Sequence, residues 1–291
     1  MRLPLALLAL ASALPANAAD VSRFVSSDQG FAVNSWLVPT QRGIVVIDTQ
    51  FTVTEADKLV KAVMQTGRPL KAIVITHPHP DHYNGTCQLL QLAHVPVYAT
   101  QATIDGIRLT AESKRSQWKP TYGKDYPDST CLPDHAVPVG GSVRIDGDEL
   151  QFRDYGPGEA LGESIILVPS LHSAFVGDLI YNRVHPWLAE GRSIQWLAQL
   201  GRLSKDIPAN WIVYPGHGAA GGVAVIDAQR KYIMDVRSVT QAKLGPSGLT
   251  PESTKEIVEG IRARHAGWPL EMLIPLNVEA VAKELSDAGA H

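Results

Sequence analysis

The sequence predicts an α/β protein in which two β-sheets pack face to face with helices outside, and three observations carry that prediction. Short β-branched runs alternate with longer stretches of helical spacing, and both halves of the chain place strands before helices. One run, Lys71-Ala-Ile-Val-Ile-Thr76, is apolar throughout, the mark of a strand buried on both faces. With 291 residues, 45% of them hydrophobic, and 20 prolines, the chain is too apolar for disorder and long enough for a large core.

In order, Phe31 to Val38 and Gly43 to Asp48 read as adjacent strands, followed by a helix over Thr54 to Met64 with Ala56, Leu59, Val60 and Val63 on one face. The strand at Lys71 to Thr76 leads into helical patterns at Gly85 to Leu92 and Gln101 to Lys114. From Ser116 to Pro138 the pattern turns irregular, with Pro120, Pro127, Pro133, three Tyr or Trp side chains and Cys131, and reads as an insertion flanking the active site. Strands resume at Ser142 to Ile145, Glu149 to Asp154, Ser164 to Val168 and Ala174 to Val176. A helix at Ile194 to Leu203, a strand at Trp211 to Tyr214 and helices at Val223 to Lys243, Pro251 to Arg264 and Val278 to Ser286 complete the chain. No repeat or linker interrupts residues 19 to 291, which read as a single domain.

The first eighteen residues read as an address. Arg2, the apolar stretch Leu3 to Leu14 and the small-residue site Ala16-Asn17-Ala18 form a secretory signal peptide, too short in its apolar part to span a bilayer. The expected location is the periplasm or the outside of the cell, with no membrane attachment after cleavage. Lys plus Arg number 26 against 29 Asp plus Glu, and removal of the leader takes one Arg more, so no basic surface exists to hold nucleic acid. In an oxidising compartment Cys87 and Cys131 either form a bridge or remain a buried helix thiol and an unrelated loop thiol.

Chemistry concentrates where the buried strand ends. Thr76-His77-Pro78-His79-Pro80-Asp81-His82 sets three imidazoles and a carboxylate within six residues, on a loop stiffened by two prolines, which is metal-ligand chemistry. This His-x-His-x-Asp-His signature resembles that of the metallo-β-lactamase superfamily. Gly156-Pro-Gly158, Val176-Gly177-Asp178 and Tyr214-Pro-Gly-His-Gly218 support the resemblance downstream, as does the early aspartate Asp48.

The resemblance implies a four-layer αββα sandwich with two metals on its open edge. Metal one would take His77 and His79, metal two would take Asp81, His82 and His217, and Asp178 would bridge, with Asp48 supporting the loop from behind. The family places histidine after the Gly-x-Gly turn as the third ligand of metal one, whereas this chain has Glu159, which either binds through oxygen or points away and leaves metal two to work alone. His172, six residues before Asp178, either replaces the missing imidazole or, lying in or beside a strand, is a packed residue. His94, His135, His265 and His291 read as structural or solvated. With Asp81, Glu159, Asp178 and one hydroxide against two divalent cations the site is neutral, so zinc is expected at metal two, while metal one leans towards Mn or Fe.

Such a site implies hydrolysis of a small molecule, in which water acidified by the metals attacks a carbonyl and Asp81 carries the proton. The implied substrate is a β-lactam-like cyclic amide or ester. The bridging aspartate points also to a lactonase or a glyoxalase-II-like thioesterase, and loss of catalysis would leave a periplasmic metal-binding accessory protein. Tyr181 stands where lysine grips the drug's carboxylate in those β-lactamases that bridge with cysteine. Arg183 or Arg192 would have to take that part here or else stay solvated, with His185 and Trp187 as candidate pocket walls.

Overall fold

The computed structural model describes residues 20–289, so the leader at Met1 to Ala18 and His291 lie outside the described residues. Strands β1 (Ser22–Val25), β2 (Asn34–Pro39), β3 (Ile44–Ile47), β4 (Leu70–Val74), β5 (Val97–Thr100) and β6 (His135–Val137) lie in that order in one sheet. The first three run antiparallel and the rest parallel. Parallel neighbours need crossovers. These are helices α1 (Val53–Gln65), α2 (Pro80–Tyr83), α3 (Thr86–Leu92) and α4 (Gln101–Tyr122).

The second sheet has the order β11, β10, β9, β8, β7, with β7 at Ser142–Ile145, β8 at Asp148–Gly156, β9 at Glu163–Val168, β10 at Ser173–Asn182 and β11 at Ile212–Gly218. Helices α5 (Ser193–Asp206), α6 (Ala224–Lys243), α7 (Pro251–Arg264) and α8 (Ile274–Gly289) cover its outer side.

Side-chain alternation explains why these strands are apolar at every position. Val45 and Ile47 face Phe152, Ile166 and Phe175 between the sheets, while Ile44 and Val46 face Leu59, Val63 and Leu89 under the first helical layer. On the far side Ile165, Leu167 and Ala174 meet Trp196, Ile233 and Val278. The result is the expected αββα sandwich. Among the described residues no helix is long and apolar enough to cross a membrane.

Three expectations are corrected. The stretch from Ser116 is not irregular at its start, because α4 continues to Tyr122 through Pro120; the proline lies within the last turn, and the helix is held by Trp118 and Tyr122, which pack edge-on against Phe51. β10 does not end at Val176. It runs to Asn182 with register shifts around Gly177, so Asp178 stands on a bulge within the strand. His172 is an exposed turn residue with left-handed φ of 48°, its ring edge-on to Trp211, and it belongs to neither cluster of candidate ligands.

The cysteine question closes in favour of a bridge: Cys87 on α3 joins Cys131, with Cα atoms 5.2 Å apart, and ties the segment after α4 to the helix behind the histidine loop.

Candidate metal centre

The histidine loop follows β4. His79 adopts extended backbone as the residue before α2, and Pro80, which needs no N–H there, opens that short helix. His77 and His79 therefore precede the helix, while Asp81 and His82 stand on its only turn. The loop is braced by Asp48, whose backbone φ is 60°. Asp48 Oδ1 accepts from the Thr76 amide at 2.8 Å, and Oδ2 accepts from the Thr76 hydroxyl at 2.8 Å and meets His82 Nδ1 at 2.9 Å. Asp48 thus has the supporting place inferred for it.

Two clusters result. Ligand atoms of His77, His79, Glu159 and Asp178 lie within 4.8 Å of one another, and so do those of Asp81, His82, Asp178 and His217. Glu159 does not point away: its Oε2 is 3.2 Å from His79 Nδ1 and 3.9 Å from His77 Nε2. Asp178 stands between the clusters, 3.7 Å from His77 Nε2, 3.2 Å from His82 Nε2 and 3.3 Å from His217 Nε2. Asp81 Oδ2 is 3.4 Å from His82 Nε2 and 3.5 Å from His217 Nε2.

The donor set fits a pair of cations. His77 Nε2, His82 Nε2, His217 Nε2, Glu159 Oε2 and Asp178 Oδ1 are buried without hydrogen-bond partners, a costly arrangement unless something positive sits among them. The opposite ring nitrogens are pinned: His77 Nδ1 lies 2.9 Å from the Thr76 hydroxyl, His82 Nδ1 meets Asp48, and His217 Nδ1 donates to the Phe31 carbonyl at 2.8 Å. Such outer partners fix tautomer and ring direction for metal binding. Gly216 is required for the approach, since a Cβ there would stand 1.8 Å from Asp178 Oδ1.

Charge follows from proximity. Burial opposes a charge on His79 and on His217, yet Glu159 raises the first to about 10 and Asp178 raises the second to about 9. Burial drives His77 the other way, well below the usual imidazole range, helped by His82.

One neighbour was not singled out in the sequence. Glu163, at the start of β9, is buried 4.0 Å from His77 Nδ1, and burial together with the charge of Glu159 pushes its carboxyl well above the usual carboxylate range. Its place just before the strand read from Ser164 to Val168 was the one hint in the sequence. Tyr181, also read from sequence, donates its hydroxyl to Asp178 Oδ2 at 2.5 Å, lies 3.2 Å from Glu159 Oε1, and stacks on His217.

Of the pocket candidates, Trp187 lines the cleft above the clusters, as do Phe31, Phe51, Trp118, Leu270 and Leu273. His185 does not; it is buried against the Tyr232 hydroxyl at 2.7 Å. Arg192 is neither solvated nor free to grip a substrate, because its guanidinium donates to the carbonyls of Gly158 at 3.0 Å and Glu159 at 3.2 Å. Arg183 is exposed and outside the cleft lining. His94 and His135 are exposed, and His265 packs on Trp268 and Tyr232.

Comparison with known proteins agrees with the geometry. The chain is 25% identical over 207 residues to a protein of Bacteroides fragilis described as metallo-beta-lactamase type 2, covering 69% of this chain and 74% of that one. It is 24% identical over 183 residues to a hydroxyacylglutathione hydrolase of Methylobacillus flagellatus, covering 62% of this chain and 60% of that one. In fold it is similar to a metallo-beta-lactamase from Pontibacter korlensis, with TM-score 0.59 and 22% identity over 74% of this chain and 94% of the other. A beta-lactamase domain protein from Burkholderia ambifaria superposes with TM-score 0.64 and 19% identity over 96% and 91%. The family model described as metallo-beta-lactamase superfamily matches residues 28–217, a span that begins before β2 and ends on the last clustered histidine, His217. The chain belongs to the metallo-β-lactamase superfamily of hydrolases.

Proposed function

We propose that the protein is an exported two-metal hydrolase that opens a small cyclic amide or ester at its carbonyl, with a β-lactam-like ring as the leading substrate class. The observation that carries the reading is the pair of ligand clusters sharing Asp178, with orphaned buried atoms turned into one space. His77, His79 and Glu159 would hold one cation, of Mn or Fe character, and Asp81, His82 and His217 a second, zinc, with Asp178 between them. Bound there, divalent cations acidify water and polarise a carbonyl oxygen.

The chain's own residues do the rest. Asp81 borders the cleft, placed to carry a proton to the leaving group. Tyr181 fixes the direction of Asp178, and Arg192 holds the Gly158–Glu159 backbone in position. The aromatic walls supply apolar faces beside the place of the reacting carbonyl. Export is supported by the leader pattern of Met1 to Ala18 and by the Cys87–Cys131 bridge, which persists in oxidising compartments.

A lactone or thioester substrate is the second reading, favoured by an aspartate at the bridging position and by the likeness to a hydroxyacylglutathione hydrolase. Metal analysis of the mature protein beside a chromogenic panel of β-lactam, lactone and thioester tests both. About two metals per chain and turnover of the β-lactam are expected, and His82→Ala should empty its position and abolish hydrolysis. A His82→Ala protein that hydrolyses at the wild-type rate sinks the assignment. Full metal loading with no turnover across the panel would favour a metal-binding accessory protein.

A further inference from the structure

We infer that Lys114, on the face of α4 that borders the cleft, reads an anionic group on the substrate, so that the molecule accepted has an apolar ring or chain and a negative charge at one end. The inference rests on the hydrolase reading above and adds to it the class of molecule that the cleft selects.

The cleft is half open to solvent above the ligand clusters. Its floor is the ligand clusters. Its walls are Phe31, Phe51, Trp118, Trp187, Leu270 and Leu273, and among the described residues lining it Lys114 is the only Lys or Arg. A ring or acyl chain finds aromatic faces there, and an ammonium set into such walls is less screened than one on open surface.

What Lys114 touches leaves it available. Its Nζ is 3.7 Å from Glu190 Oε1, beyond hydrogen-bond distance, with the side chain 19% exposed. Glu190 is already engaged by Arg192 at 3.3 Å and Trp187 Nε1 at 3.4 Å, and lies 3.5 Å from His79 Nε2. Arg192 gives Nε to Gly158 and Nη2 to Glu159 and Glu190, and it is not among the residues that line the cleft. Two cations thus face one carboxylate, and the ammonium of Lys114 is the one of the two that lines the cleft. The neutral balance expected of the metal floor leaves that ammonium as the feature that discriminates charge.

A tie between α4 and Glu190 is the competing role for Lys114, and binding measured without turnover separates the two. Isothermal titration of the metal-loaded protein would use naphthalene-2-sulfonate, whose anion is a weak metal ligand, and neutral naphthalene-2-methanol. Lys114→Gln should weaken the sulfonate about tenfold and leave the alcohol within about twofold. Lys114→Arg should recover most of the loss, and Trp118→Ala should weaken both probes. An unchanged sulfonate affinity in Lys114→Gln, an equal loss of both probes in that variant, or a wild-type protein that fails to bind the sulfonate would each overturn the inference. A protein that reads the sulfonate through Lys114 yet hydrolyses nothing overturns the hydrolase reading instead.

Discussion

Glu159 Oε2 stands 3.2 Å from His79 Nδ1, so the residue that departs from the family's pattern faces the same space as the histidines that keep to it. Replacing it should therefore be felt by a metal. Glu159→Ala is expected to lower metal content from about two to about one per chain, and Glu159→His to raise zinc affinity while moving the acidic limb of the pH–rate profile to lower pH. Metal analysis and a pH–rate series check both, and an alanine variant with unchanged metal and pH profile would leave a single-metal enzyme built on Asp81, His82 and His217.

Asp48 braces Thr76 and His82 from a left-handed backbone that asparagine also tolerates. Asp48→Asn should accordingly fold, lose the carboxylate that orients His82, and weaken metal binding by about 10- to 100-fold. Competition with a chelator reads this directly; unchanged affinity would show that the His82 ring is held by packing alone.

The metal-free protein should lose stability as pH rises. His79 and His217 have folded-state pKa values raised to about 10 and about 9 from 6.5, so their stabilisation is complete below 6.5 and disappears as pH climbs through 9 to 10. Glu159 and Glu163 are also raised, chiefly by burial, and their ionisation acts in the same direction. Thermal melts between pH 7 and pH 10 should show a falling midpoint for the chelator-treated protein, and a much flatter response with metal bound. A midpoint that rises over that interval contradicts the charge pattern.

Cys87 and Cys131 enclose 44 residues of separation, and closing a segment of that length stabilises by about 4 kcal/mol in the entropic account. The unfolded, unreduced protein should titrate no free thiol, and Cys131→Ser should lower the denaturation midpoint accordingly. Two titratable thiols would mean that the bridge does not form.

Much of this was legible in the sequence because metal chemistry is local. His77 to His82 announce themselves by spacing, and Asp48, Asp178 and His217 follow from the resemblance and meet as it implies. What was illegible depends on distant partners. β5 and β6 are short and gain their strand character from parallel neighbours, and β10 looked broken at Gly177 because pairing with β11 resumes only at Tyr181 and His217. Arg192 resembled a surface arginine until the fold brought it to the carbonyls of Gly158 and Glu159. Glu163 carried no motif; only the layer above it makes its burial notable.

Leu270 and Leu273 line the cleft from beyond residue 217, where the match to the family model ends. The clustered side chains and part of the cleft wall are thereby held by separable lengths of chain: the clusters end at His217, while Leu270 and Leu273 follow it. Exchange or redesign of the tail from α7 onward is consequently a route to a different cleft wall that leaves every clustered residue in place.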